Sequence, residues 1–318
     1  MIISARAPVR IDFAGAWTDV ACFSDVFGGA TLNAALRMYV TGRLEAGEGS
    51  AAGLLHALGA AAAQTDAFGP PPEPSLQVTY GSAIPAGSGL GTSATLNVLW
   101  LALARGEPVE TVADRLRVAE LAYDVEKALG IIGGRQDQYA SAVGGINLFE
   151  FGADGVSHTP VVLGDALLRE LESRLVLCYT GRTRLSSNLH RNVWGSFQAG
   201  KEATVRALFG LRASAYDARA ALEAGDLDGF AGIVTAQRAY MRDLDASTSN
   251  AQIEGLFEAV APEILGGKPC GAGGGGCVFF LARDERAKGR IREKLQGLGM
   301  EALDVAFDFD GLQVEIQA

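Results

Sequence analysis

The run Pro85-Ala-Gly-Ser-Gly-Leu-Gly-Thr-Ser-Ala-Thr95 has the composition of a loop that wraps the phosphates of a nucleotide. Gly87, Gly89 and Gly91 can take backbone angles closed to other residues and so expose their N–H groups. Thr92 and Ser93 add hydroxyls, and the apolar run from Leu96 to Ala104 reads as a helix whose positive dipole end faces the loop. The strand-like Leu76–Tyr80 leads in. A Gly-rich turn that merely joins strand to helix would share these letters. A Walker loop would not, since it ends in Gly-Lys-Ser/Thr, a triplet found nowhere in the chain. A dinucleotide fingerprint fits the order strand, loop, helix, with Glu107 or Glu110 as the distal acid, but it usually opens its domain, and here a long stretch of chain precedes the loop.

Three other segments place polar groups among glycines. In Arg10-Ile-Asp-Phe-Ala-Gly-Ala-Trp-Thr-Asp19, Asp19 is either a functional carboxylate or the surface residue of a turn. In Gly133-Gly-Arg-Gln-Asp137-Gln-Tyr139-Ala, Asp137 stands at a helix start, where capping is its simplest role. Gly271-Ala-Gly-Gly-Gly-Gly276 matches Gly-x-Gly-x-x-Gly by letters, but its order of helix, glycines, strand contradicts dinucleotide binding. Two charge features stand apart. Glu126 follows Val112, Leu116, Ala119 and Tyr123 on the apolar stripe of a helix over Val109–Leu129, a costly position unless a cation, a metal or solvent at the fraying end meets it. Arg182, Arg184, His190 and Arg191 cluster in a chain of net charge −10, as a solvated basic face or as a phosphate pocket. If a helix begins near Ser186, His190 and Arg191 point in different directions, so Arg182 and Arg184 are the pocket candidates, and a substrate that already bears a phosphate is expected.

Strands over Ile2–Gly15 and Ala35–Glu45, a helix over Ala51–Gln64 and a proline-rich connection over Pro70–Pro74 precede the loop. The strand after Gly144-Gly closes the first half, and the character shifts at about Asp165. A strand over Leu175–Tyr179, helical runs from Ala199 to Leu265, a buried strand after Gly276 and two short strands around Asp310-Gly311 follow. At 318 residues, with 48% hydrophobic and 20% charged residues, the chain is long enough for one large or two medium domains. The negative charge disfavours nucleic acid as a partner. No leader and no membrane span is read, so a cytoplasmic protein, monomeric or homodimeric, is expected. Four scattered cysteines and three scattered histidines give a zinc site or a Ser-His-Asp triad little to stand on.

Ala7-Pro-Val-Arg10 with Gly15-Ala-Trp-Thr-Asp19, the Pro85–Ala94 loop, and Gly271–Gly276 together resemble, in order and spacing, the three motifs of the GHMP kinases, the superfamily of galactokinase, homoserine, mevalonate and phosphomevalonate kinases. Gly133-Gly-Arg-Gln-Asp-Gln-Tyr-Ala and Tyr179-Thr-Gly-Arg-Thr-Arg184 look most like the D-glycero-D-manno-heptose 7-phosphate kinases. Phe13-Ala-Gly-Ala-Trp-Thr-Asp19 departs from the Gly-Gly-Gly-Thr-Asp usual there, and its Trp is similar to the fucokinase branch.

The resemblance implies an α+β GHMP kinase fold. An N-terminal half over 1–165 would be like ribosomal protein S5 domain 2, and a C-terminal α/β half would cover 166–318. It implies transfer of the ATP γ-phosphoryl group, with Mg²⁺, to a hydroxyl of a sugar or sugar phosphate, and the expected acceptor is the anomeric hydroxyl of a heptose 7-phosphate-like substrate, giving a sugar 1-phosphate. The catalytic aspartate falls on Asp137, the charge-stabilising arginine on Arg10, and the magnesium-associated residues on Ser93 and Glu126. ATP contacts fall on Pro85, Gly87, Ser88, Gly89, Leu90, Gly91, Thr92 and Ser93, and sugar contacts on Asp19, Thr18, Gly134, Gly273 and Gly274, beside Arg182 and Arg184. Glycines 273 to 276 are expected to pack closely against the first motif. This chemistry suits the residues, because phosphoryl transfer asks chiefly for positioning and charge neutralisation. A kinase of a free, fucose-like sugar or of a cyclitol, a catalytically dead sugar sensor on the same fold and a dinucleotide-dependent oxidoreductase remain as alternatives.

Overall fold

The computed structural model describes residues 2–46, 76–82, 84, 87–182 and 187–317. The helix expected over 51–64, the proline-rich connection, Pro85 and Arg184 lie outside the described residues.

The first strand, β1 (Ile2–Ala14), has one open face up to Arg6 and is buried continuously from Ala7 on. The change comes where helices from both halves of the chain close over it. Strand β1 pairs antiparallel with β2 (Gly29–Ala46), and the register slips between Pro8 and Val9, where proline has no N–H to donate. A short helix, α1 (Ala21–Phe27), joins the two. Strand β2 also pairs with β3 (Leu76–Ser82) and β4 (Ile146–Gly152), and β4 with β5 (Gly155–Pro160). Three helices accompany this sheet: α2 (Thr92–Arg105), α3 (Val112–Ala128) and α4 (Gln136–Val143).

Helix α3 starts later than expected because Thr111 caps it. The Thr111 hydroxyl accepts from the Asp114 N–H while the Asp114 carboxylate accepts in return. Val112, expected on the buried stripe, is therefore exposed in the first turn. The stripe runs instead through Val118, Ala119, Ala122 and Tyr123 to Glu126.

In the second half, α5 (Asp165–Arg174) leads into β6 (Leu175–Tyr179). Helices α6 (Ser187–Gln198), α7 (Glu202–Glu223), α8 (Leu227–Leu244) and α9 (Ala251–Val260) follow. Strands β7 (Ile264–Pro269) and β8 (Cys277–Ala282), helix α10 (Glu285–Gly297) and β9 (Glu301–Leu303) complete an antiparallel sheet ordered β7-β8-β6-β9. The last strand, β10 (Gln313–Gln317), returns to pair antiparallel with β1. The division expected at 165/166 therefore separates the two sheets except for this strand, which belongs to the N-terminal one.

The halves meet around Phe13. Its ring lies edge-on to Phe230, Phe279 and Phe307, with centroids 5.3, 5.9 and 6.2 Å away. Gln237 of α8 is fully paired across the joint, donating to Phe13 O at 2.9 Å and accepting from Gly15 N at 3.1 Å. No described helix is long and apolar enough to cross a membrane.

Candidate active site

A cavity of about 390 Å³ opens between the two halves. Its walls come from the end of β1 and the following turn, from the glycine loop before α2, from the start of α4 and from the Gly271–Gly275 turn. Gly87, Gly89 and Gly91 all have positive φ, at 73°, 77° and 75°, so the loop takes the conformation for which glycine is needed. It is held from three sides. Cys277 N donates to Ser88 O at 2.6 Å, Arg10 N to Leu90 O at 3.0 Å, and Arg10 Nη1 to Gly89 O at 2.6 Å. The Ser88 hydroxyl is used within the loop, meeting Leu90 N and Thr92 Oγ1, whereas Ser93 is exposed toward the cavity.

Arg10 joins the loop to Asp137. Its Nε and Nη2 lie 2.7 and 2.6 Å from Asp137 Oδ1, so both contacts fall on one carboxylate oxygen. The other, Oδ2, lies 3.3 Å from where a Cβ on Gly91 would stand. Burial alone would lower the Arg10 pKa, but the charges of Asp137 and Asp12 outweigh it and hold the guanidinium above its usual value. Asp12 is itself fully buried, ion-paired with Lys268, and accepts from Gly271 N at 2.7 Å. Expected to pack on the first motif, the third glycine turn touches it through this bond. Its closer packing is against the phosphate loop, where Gly89 and Cys270 O leave no room for a side chain.

Asp19 accepts from Gln136 N at 2.9 Å and lines the cavity. Its burial, helped by the neighbouring Asp137 charge and opposed by the Gln136 N–H, raises its pKa to about 6. Glu126, 8% exposed, is clasped by Asn97 Nδ2 at 2.6 Å and Gln138 Nε2 at 2.9 Å, and burial raises its pKa.

Not every expected residue reaches the cavity. The Thr18 hydroxyl is fully buried and bonded to Gly15 O, Ala30 O and Ala30 N, so Thr18 fixes the turn rather than offering a hydroxyl to a ligand. Gly273 lines the cavity, but Gly274 faces away, its N–H given to Thr248 O at 2.6 Å. Arg182 has an exposed side chain outside the wall, and its carbonyl accepts from Gly276 N at 2.8 Å. His190, ranked behind Arg182 and Arg184 as a pocket candidate, lines the cavity, as does Trp17. Their rings lie 4.6 Å apart. The His190-x-x-x-Trp194 spacing puts those two side chains on one helix face, but nothing in the sequence marks the contact of His190 with Trp17.

Comparison with known proteins gives the family. The GHMP kinases N terminal domain pattern matches residues 55–145, and the GHMP kinases C terminal pattern matches 218–299. The chain is 32% identical over 238 residues to the D-glycero-alpha-D-manno-heptose 7-phosphate kinase of Campylobacter jejuni, covering 74% of this chain and 69% of that protein. It is 29% identical over 342 residues to the L-fucokinase/L-fucose-1-P guanylyltransferase of Bacteroides fragilis, covering 92% of this chain but 36% of that longer protein. A solved D-glycero-D-manno-heptose 1-phosphate kinase from Bacteriodes thetaiotaomicron superposes with a TM-score of 0.75 at 25% identity, over 99% of this chain and 100% of that one. Lactococcus lactis galactokinase, at 18% identity and a TM-score of 0.69 over 99% of this chain and 95% of that one, shares the fold. With three glycine motifs meeting around one cavity and both halves matched in sequence, the chain belongs to the GHMP kinases and is an ATP-dependent sugar kinase.

Proposed function

We propose that the protein transfers the γ-phosphoryl group of ATP to a hydroxyl of a free, fucose-like sugar, with Asp137 as proton acceptor. The observation that carries the chemistry is the single Arg10 guanidinium bonded both to Asp137 Oδ1 and to the phosphate loop at Gly89 O. One cation thereby sets the carboxylate at the end of the phosphate cradle. The acceptor hydroxyl gives its proton to Asp137 Oδ2 as its oxygen bonds to the γ-phosphorus. The bond from that phosphorus to the β,γ-bridging oxygen breaks, and ADP leaves. Arg10 faces the charge that develops on the transferred group.

Glu126 and Ser93 fit a magnesium ion. A buried carboxylate clasped by two neutral amides gains from a cation, and Ser93 offers a hydroxyl at the same wall. Among the described residues no three His, Cys, Asp or Glu side chains gather into a metal cluster, which suits an ion that takes most of its ligands from ATP phosphates and water. When bound, Mg²⁺ would neutralise phosphate charge. Glu126 and Ser93 would hold it directly or through water.

The free-sugar reading is supported by the wall beside Asp19. Among the described residues, Arg10 is the one cationic side chain that lines the cavity, and it is already committed to Asp137. The neighbouring wall is Trp17 and a His190 whose pKa burial lowers to about 4, so this ring is neutral at pH 7. A second reading, a phosphorylated acceptor such as a heptose 7-phosphate, is favoured by the relative at 32% identity and by the bond of Arg182 O to Gly276 N, next to the glycine turn that lines the cavity. An ATP-consumption screen over free sugars, their phosphates and cyclitols separates the two. The expected result is a free sugar used at least about 10-fold more efficiently than its phosphate, with Arg182→Ala neutral. The reverse preference, with Arg182→Ala raising the KM of the phosphorylated acceptor, overturns the free-sugar reading.

A further inference from the structure

We propose that His190 and Trp17 form a neutral, hydrogen-bond-donating wall that selects the acceptor by its hydroxyl oxygens, with the His190 tautomer set by Trp194. The inference rests on this cavity holding the acceptor and deepens that reading. It adds two specificity-determining residues to the carboxylates Asp19 and Asp137.

The argument starts from one hydrogen bond. Trp194 Nε1 lies 3.3 Å from His190 Nδ1, one helical turn away on α6. An indole N–H can only donate, so Nδ1 must present its lone pair. In a neutral imidazole the proton then sits on Nε2. Burial disfavours the charged ring, and this keeps the tautomer in place through neutral pH. No partner for Nε2 occurs among the described residues, and the ring borders the cavity.

Trp17 supplies the second donor. It is 3% exposed, and its buried Nε1–H has no hydrogen-bond partner among the described residues, in a side chain that also lines the cavity. A buried orphan donor is costly unless something outside the protein completes it. Trp17 is also the one non-glycine residue with positive φ among those described, at 81°. Such backbone strain persists only where the surroundings impose it. Here the imposed conformation sets the Trp17 ring, tilted, against His190 and near Trp194, with centroids at 4.6 and 6.2 Å. The wall thus sets His190 and the unpartnered Trp17 N–H beside two carboxylate acceptors, a set that matches the paired donor and acceptor character of sugar hydroxyls. A site built on such donors rejects analogues that cannot accept from them.

The test uses the full-length enzyme and whichever sugar or sugar phosphate it turns over fastest, so that the free-sugar reading and this inference fail independently of each other. His190→Phe keeps a ring against Trp17 and removes both nitrogens. It should raise the acceptor KM at least about 10-fold while leaving the KM for ATP within about twofold. His190→Gln, which can place an N–H near Nε2, should recover part of that loss. Trp194→Phe frees the tautomer and should give an intermediate rise. Long-range ¹H–¹⁵N spectra of the wild-type protein should show a neutral ring protonated on Nε2 between about pH 5.5 and 8. An unchanged acceptor KM in folded His190→Phe would overturn the proposal. If that variant does not fold, a ring found protonated on Nδ1, or His190→Gln indistinguishable from wild type together with Trp194→Phe, would do so.

Discussion

Gly134 and Asp19 compete for one volume. A Cβ added at Gly134 would overlap the Asp19 carboxylate, whose Oδ2 accepts the Gln136 N–H at 2.9 Å. The glycine before α4 is thus required by a close approach, and its neighbour across the gap is a group proposed to bind the sugar. Gly134→Ala should push Asp19 aside and raise the acceptor KM by about 10-fold or more, with the KM for ATP much less affected. Initial-rate kinetics with each substrate varied in turn would show it, and an acceptor KM equal to wild type would mean that Asp19 has no part in binding.

Asp19 should also link pH to stability. Its folded pKa, raised to about 6 from an ordinary 3.8, means that the folded protein holds the proton more tightly than the unfolded chain. Stability from this group is present below the unfolded value and is lost as pH rises toward the folded one. Asp19→Asn keeps an acceptor for Gln136 N–H and should therefore raise stability at pH 7.5, by at most about 3 kcal/mol, while weakening acceptor binding. Melting curves between pH 4 and 7.5 would check the sign, since the gain should shrink toward acid. A variant less stable than wild type at pH 7.5 would contradict it.

Lys268 and Asp12 are both fully buried and ion-paired, and Asp12 also accepts the N–H of Gly271. Removing one member of such a pair strands the other charge. Lys268→Met should cost about 3–5 kcal/mol, measurable as a lower denaturant midpoint. The loss should be smaller in Lys268→Met combined with Asp12→Asn. Equal losses in the single and double variants would show that packing, not the charge, dominates.

Much of this site was legible in the sequence where its geometry is local. The positive-φ glycines 87, 89 and 91, and Glu126 at the end of an apolar stripe, follow from spacing within one loop or one helix. What depends on pairing distant segments was less legible. The return of β10 to β1 leaves no local mark, so the boundary at 165/166 missed that strand. Thr18 resembles a ligand group because it precedes Asp19, yet its hydroxyl closes the turn against Ala30. His190 escapes a sequence reading because helical phase alone cannot say which face meets the cavity. The burial of Leu189, Val193 and Trp194 decides that, and it is tertiary.

The pairing of Glu126 with Asn97 and Gln138 gives a metal prediction. Glu126→Gln keeps the volume but sets its amide against one of the two donors, and it removes a negative charge near the phosphates. The Mg²⁺ concentration for half-maximal turnover should rise by about 10-fold, and Ser93→Ala should act in the same direction. Titrating Mg²⁺ at fixed ATP measures both. If neither curve moves in folded protein, the proposed magnesium ligands are wrong.

The sharpest separation of roles lies between Arg10 and Asp137. Asp137→Asn preserves shape and can still contact Arg10, but it cannot accept the hydroxyl proton. Turnover should fall by about 10²-fold or more with ATP affinity little changed. Arg10→Met does something different. It removes the cation that bonds Asp137 Oδ1 and also frees Gly89 O, so it should weaken ATP binding as well as turnover. Measuring ATP affinity by calorimetry and turnover by product formation places each variant on two axes. Asp137→Asn should move along one axis and Arg10→Met along both. Near-normal turnover in Asp137→Asn would mean that the carboxylate only anchors Arg10 and that transfer proceeds by positioning alone.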